Sequence, residues 1–166
     1  MLETIVMVIL PALVAVAAVS DLMTLTIPNR LVWAVVAAFA AAAALGSLTP
    51  AEIGMHLAAG AVVLVAAFLL FIPGWIGGGD AKLAAAIALW LGFEPLLSWF
   101  VLFALFGGAL TFAIMSYRGA PMPARVARVG FLRRLHSPVE GVPYGVALAA
   151  GALLLLPGTT WFAALG

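Results

Sequence analysis

The stretch GGGDAKLAAAIALWLGFEP, residues 77–95, determines how the chain is organised. Its apolar part, 81–92, is too short by itself to cross a hydrocarbon core of about 30 Å at about 1.5 Å per residue. Merging it with the apolar run after Pro95 would place Arg30 and Lys82 opposite the five arginines of 118–134. The positive-inside rule disfavours that arrangement. The stretch therefore predicts a short fourth helix and a turn at 92–95.

The composition places most of the chain in lipid. Of the 166 residues, 67% are hydrophobic and 8% are charged, with a mean hydropathy of +1.30, whereas roughly a quarter of the residues in a soluble domain are charged. A span needs about 20 apolar residues, so we predict an all-α polytopic membrane protein with six transmembrane helices in one domain, 1–166. The predicted spans are 4–20, 31–48, 53–72, 81–92, 95–115 and 142 to about 164, with a kink or early end at Pro157.

This topology places all basic residues on one side of the membrane. They are Arg30, Lys82, Arg118, Arg125, Arg128, Arg133 and Arg134. We therefore predict cytoplasmic loops at 21–30, 74–82 and 117–142, both termini outside, and a location in the bacterial inner membrane. Because the leading charge is Glu3 and no basic residue precedes the first apolar run, we interpret that run as a retained span and not a signal peptide.

Two aspartates lie at span ends on the predicted cytoplasmic side. Asp21 follows the first span and Asp80 precedes the fourth. A carboxylate in a span costs about 2.5–3.5 kcal/mol on insertion scales, so such residues usually have a function. Two adjacent carboxylates can share a proton, so that one activates water while the other donates to a scissile carbonyl. The alternative is structural: Asp80 as a helix N-cap and Asp21 as a solvated interfacial residue.

Neighbouring residues are candidates for shaping this site. Gly77, Gly78 and Gly79 are expected to permit positive φ values and close approach to a substrate or a neighbouring helix. Pro28 is expected in the first turn of the second helix, where its fixed φ is favourable.

Three polar side chains have two interpretations each. Asn29 could bond the loop backbone or orient a catalytic carboxylate. Lys82 could act on Asp80 or contact substrate, or it could extend to the lipid headgroups. Tyr144 could bond across helices toward the site, or it could anchor the chain at the interface.

Together these strings resemble the type IV prepilin peptidase family. The resemblance rests on Asp21 followed by Ile27-Pro28-Asn29, on Gly77-Gly78-Gly79-Asp80 with Lys82 just beyond, and on Pro143-Tyr144-Gly145. Members of that family are membrane aspartic endopeptidases that cut the short basic cytoplasmic leader from prepilins or pseudopilins, just before the hydrophobic helix. The resemblance implies that Asp21 and Asp80 are the catalytic pair.

The chain resembles the short branch of the family, similar to the Flp or tight-adherence pilus peptidases. Longer members add a cytoplasmic domain with paired cysteines and also methylate the new N-terminus. Here nine residues separate Ser20 from Arg30, and the chain has no cysteine. We therefore expect no N-methyltransferase activity.

Other functional classes are less compatible with the sequence. A net charge of +1 argues against a nucleic-acid partner, and His56 and His136 fall on opposite faces, so we expect no metal site and no cofactor. A proton-coupled membrane transporter using the same aspartate pair is the main alternative. A non-catalytic assembly partner of a membrane complex is the second, and it predicts that both aspartates tolerate substitution.

Overall fold

The computed structural model describes residues 1–46 and 48–163, and the described chain forms helices without strands. The α-helices are α1 (Leu2–Thr24, including a π-helical turn at Ile5–Ile9), α2 (Asn29–Leu45), α3 (Pro50–Phe71), α4 (Gly78–Leu91), α5 (Leu96–Gly119), α6 (Gly130–His136), α7 (Tyr144–Leu155) and α8 (Thr160–Ala163). Short 3₁₀ turns lie at Val126–Arg128 and Leu156–Gly158. The all-α prediction is confirmed.

Four segments are long and apolar enough to cross a membrane. They are α1, α3, α5 and the segment Tyr144–Ala163, which contains α7 and α8. Two further helices are shorter: α2 has 17 residues and α4 has 14. The structure thus supports a membrane protein with several spans, and the count of six stays a prediction.

Helix α4 is the central helix of the bundle. It packs against α2, α3 and α7, and every residue from Leu83 to Leu91 is buried. Its neighbours, not lipid, surround most of its length, so α4 does not need the roughly 20 residues that lipid exposure would demand. The indole of Trp90 donates to the Val35 carbonyl at 3.0 Å, and the indole of Trp161 donates to the Trp90 carbonyl at 2.9 Å.

The loops next to both aspartates are shorter than predicted. Helix α1 continues past residue 20 and closes at Leu25, whose φ is +52°, while α4 begins at Gly78. The predicted loops 21–30 and 74–82 therefore shrink to 25–28 and 72–77. The predicted loop 117–142 overlaps the last residues of α5, which ends at Gly119, and it contains α6. As a result Asp21 lies in the last turn of α1 and Asp80 in the first turn of α4.

Other helix boundaries follow from local chemistry. Helix α3 begins at Pro50 with a capping box between Thr49 and Glu52. Helix α2 stops at Leu45 and not at 48, because the extended backbone at Gly46 ends it. The break predicted at Pro157 is confirmed by the 3₁₀ turn there, and the predicted end of the last span, near 164, lies outside the described residues.

The turn between α4 and α5 requires glycine at position 92. Gly92 has a φ of +72°, and a Cβ there would lie 3.1 Å from the ring of buried His56. We expect Gly92→Ala to lower the free energy of unfolding by about 1–3 kcal/mol, through left-handed strain plus overpacking. Thermal unfolding in detergent measures the change.

Gly74→Ala is the matched control, because Gly74 has a φ of +79° and open space around its Cβ position. Gly74→Ala therefore introduces the backbone strain without the overpacking. If both variants lose the same free energy of unfolding, overpacking of the new Cβ at position 92 against His56 contributes nothing to the loss.

Candidate active site

Asp21 is held by the first turn of a different helix. Its side chain is only 5% exposed, and its Oδ2 accepts a hydrogen bond from the Gly145 amide at 2.7 Å. Gly145 is the second residue of α7, where backbone N–H groups have no partner within the helix. The carboxylate therefore satisfies one of these groups and lies at the positive end of the α7 dipole.

Asp80 meets Asp21 at the same glycine. Its carboxylate lies near the backbone amides of Gly77 and Gly145, and close enough to Asp21 for the two charges to interact. Its Oδ1 is buried and has no hydrogen-bond partner within residues 1–46 and 48–163. The structure therefore brings together two carboxylates, one from α1 and one from α4, beside the N-terminus of α7.

The three glycines before Asp80 provide space, not unusual backbone angles. Gly77 is the N-cap of α4 with a φ of −71°, and none of the three has a positive φ, so that prediction was wrong. A Cβ on Gly77 would lie 2.9 Å from Asp80 Oδ2, one on Gly78 3.3 Å from the Phe71 ring, and one on Gly79 3.3 Å from Ile27 Cβ. A Cβ at Gly77 would therefore displace the Asp80 carboxylate, and one at Gly78 or Gly79 would require the neighbouring side chain to shift by a few tenths of an ångström.

Ile27 is a packing residue that sequence reasoning missed as part of the site. It is buried and contacts both Gly79 on α4 and Gly145 on α7. The signal for this packing role in the sequence is an apolar residue directly before Pro28. Pro28 itself is the extended residue before α2, with φ −61° and ψ 134°, not a first-turn residue as predicted.

Lys82 points away from Asp80. Its Nζ donates to Asn29 Oδ1 at 3.0 Å, because residues two apart lie on different sides of a helix. Both residues line a cavity of about 520 Å³ along α2, α3 and α4. Neither side chain is placed against a carboxylate; together they tie α4 to α2.

We expect Lys82→Met and Asn29→Ala to have small and matching effects. Each variant removes the same exposed hydrogen bond, so each should cost about 0.5–1.5 kcal/mol of stability and lower the peptidase activity that the resemblance implies by less than about threefold. The double variant should be no worse than either single one, since the two residues are coupled. Unfolding in detergent and a cleavage assay check both points. A loss of activity confined to Lys82→Met would indicate a direct role at Asp80.

Tyr144 bonds across helices near the site. Its hydroxyl lies 3.2 Å from Thr111 Oγ1 on α5. Tyr144, Thr111 and Asp80 line one cavity of about 760 Å³ whose other walls are largely apolar. Thr111 carried no recognisable signal in the sequence, because a threonine in a span is ordinary.

The segment 118–141, which contains five arginines, is held against the bundle by hydrogen bonds to backbone carbonyls. The Arg118 guanidinium donates to the carbonyls of Leu135, Glu140 and Gly141 at 2.8–3.0 Å. Arg134 donates to the Met23 carbonyl near the end of α1 at 3.2 Å. These bonds fix the chain that leads into α7, and therefore the amide that Asp21 accepts from.

The described residues 1–46 and 48–163 contain no group of three or more His, Cys, Asp or Glu side chains placed to hold a metal ion. His56 packs among Phe39, Trp161 and the Leu89 carbonyl, and His136 lies against Tyr117. The two histidines belong to separate parts of the bundle.

Comparison with known proteins agrees with the resemblance in the motifs. The family model described as type IV leader peptidase family matches residues 8–112. Searches against curated proteins and against solved structures gave no match. The matched region covers more than half of the chain and includes both Asp21 and Asp80. The chain therefore belongs to the type IV leader peptidase family.

Proposed function

We propose that this protein is a membrane aspartic endopeptidase that removes the cytoplasmic leader from prepilin or pseudopilin precursors, with Asp21 and Asp80 as its catalytic pair. The observation that carries the proposal is the meeting of these two carboxylates at the Gly145 amide. They come from helices far apart in the chain, and a purely structural N-cap for α7 would need only one of them. Family membership supplies the reaction class.

We assign different tasks to the two aspartates. Asp80 lines the large cavity, so we assign it the contact with substrate. Asp21 is held by the Gly145 amide and is not among the residues that line this cavity. One carboxylate takes a proton from water as the water oxygen bonds to the scissile carbonyl carbon, and the other donates a proton to the carbonyl oxygen. Collapse of the intermediate breaks the C–N bond, and the leaving amine takes a proton from the pair.

We propose a single domain that crosses the bacterial inner membrane six times, with α2 and α4 as the two shorter crossings. Arg30 and Lys82 then share a side with all the arginines of 118–134, as the positive-inside rule favours. The termini lie outside, and both aspartates face the cytoplasm. A leader that stays in the cytoplasm would reach them there.

We assign the protein to the short branch that processes Flp-like pilins and lacks N-methyltransferase activity. The absence of cysteine and the short connection 25–28 between α1 and α2 support this assignment. Neither a cofactor nor a metal ion is needed for the proposed chemistry.

Co-expression with Flp-like pilin precursors from the same genome tests the proposal. We expect a mobility shift that depends on this protein, and mass spectrometry of the product should place the cut just before the apolar helix. The mass should show a free, unmethylated amine. Proton-coupled flux in vesicles, with every precursor uncut, would support the transporter alternative instead.

A further inference from the structure

The cavity at Asp80 is an open groove between α3 and α5. Its floor consists of buried residues from α3, α4 and α7, among them Val63, Ala84 and Leu148. Its rims are exposed: Phe112 on α5 is 76% exposed, and Leu70 on α3 is also exposed. Both rim helices are candidate membrane spans, so the groove opens sideways toward lipid.

The α5 wall of this groove combines four small residues with the larger Phe100, Phe103, Phe112 and Met115. Ala104, Gly107, Gly108 and Thr111 recur at helical spacing and all line it. Small residues allow a second helix to approach closely in a membrane. A Cβ on Gly108 would meet no atom of the described part of the chain within 4 Å, so that part leaves space beside it.

The length of the groove suits a helix. Its lining on α5 extends from Phe100 to Met115, which is roughly 22 Å at about 1.5 Å per residue. Its polar groups lie mainly at one end, where Asp80 is found in the first turn of α4. An apolar helix in this groove would therefore have its polar end beside the carboxylate.

We propose that this groove receives the apolar transmembrane helix of the substrate from the lipid side and so places the bond before that helix against Asp80. The inference rests on the proposed function and adds a docking surface to it. A phospholipid is a poorer occupant, because its anionic phosphate would face the Asp80 carboxylate. A second copy of this chain would block the catalytic site.

Site-specific photo-cross-linking tests the docking surface independently of cleavage. Benzoylphenylalanine is placed at Ala104, which lines the groove, or at its neighbour Leu105, which is 63% exposed and lines no described cavity. The two positions lie at nearly the same depth. The background is Asp21→Asn, and the probe is the co-expressed pilin precursor. We expect a cross-link to the precursor helix from position 104 at least about tenfold stronger than from 105.

The possible results distinguish a failure of the docking proposal from a failure of the proposed peptidase activity. A precursor that the wild type cuts, but that cross-links equally or not at all from both positions, overturns the groove and leaves the peptidase intact. A cross-link from 104 with no cutting by the wild type supports the groove and contradicts the peptidase. A homodimer cross-link from 104 identifies a second copy as the occupant and overturns the proposal.

Filling the groove provides a second test with a matched control. Gly108→Trp puts an indole into the groove, whereas Gly54→Trp puts the same side chain on α3 outside it; both positions are exposed and have open space. We expect Gly108→Trp to raise KM for the precursor at least tenfold with a smaller change in kcat, and Gly54→Trp to change neither by more than twofold. Equal effects in the two variants would overturn the proposal.

Discussion

Replacing Asp21 or Asp80 with asparagine is expected to abolish cleavage of a pilin precursor while the protein still inserts into the membrane. Asparagine is nearly isosteric with aspartate and can still accept a hydrogen bond, so Asp21→Asn can keep the 2.7 Å contact with the Gly145 amide. It cannot take up a proton. Loss of general acid–base catalysis costs about 10²–10⁴-fold in rate, which a mobility-shift assay in cells shows as uncut precursor.

Glu94→Gln is the matched control for the loss of a carboxylate. Glu94 is exposed and lies in the turn between α4 and α5, so we expect normal cleavage. Membrane fractionation and thermal unfolding in detergent show whether each variant is inserted and folded. Cleavage persisting in both aspartate variants would remove the catalytic pair and favour the assembly-partner interpretation.

The pairing of the two aspartates could be anticipated from the sequence because it depends on helix parity. Charge placement decides which span ends share a side, and Pro and Gly mark where the helices break. Two predicted spans lie between Asp21 and Asp80, so both aspartates return to one side. The break at 92–95, where Gly92 has a positive φ, decides whether the arginines of 118–134 share that side. Family membership was predictable for the same reason, since its motifs are short strings at span ends.

The contacts of individual side chains could not be anticipated in this way. Asp21 lies at the C-terminal end of its own helix, where a carboxylate finds no capping partner within that helix. The partner is Gly145, 124 residues away, and only helix packing brings it close. Lys82 is near Asp80 in sequence, yet bonds Asn29 on α2.

The short length of α4 also has a tertiary cause. Its alanine-rich sequence contains no run long enough to span lipid, and the sequence does not show which faces of it will be covered. In the structure α2, α3 and α7 surround it. Small side chains allow enclosing helices to approach closely, which explains the buried alanines at 84, 85, 86 and 88.

The second large effect is expected for Gly145→Ala. A Cβ on this residue would lie 2.8 Å from both Asp21 Oδ2 and Ile27 Cδ1, and both neighbours are buried, so a shift of either one disturbs the packing around it. The methyl group must push the Asp21 carboxylate away from Asp80 or shift the start of α7. Misplacement by about 1 Å can cost on the order of 10²-fold in rate, and overpacking costs about 1–3 kcal/mol of stability. Cleavage kinetics and unfolding in detergent measure both quantities.

Gly141→Ala is the matched control. It distinguishes the effect of crowding at position 145 from any general effect of replacing a glycine in this segment with alanine. Gly141 lies four residues earlier in the same segment and has nothing within 4 Å of its Cβ position. Its carbonyl remains available to Arg118, so Gly141→Ala should keep nearly full activity. A variant at 145 that is folded but cuts at least about 100-fold more slowly would show that the Gly145 amide positions Asp21 for catalysis. If Gly145→Ala cleaves as well as Gly141→Ala, the contact between α7 and Asp21 is a structural cap, and the catalytic assignment of Asp21 fails with it.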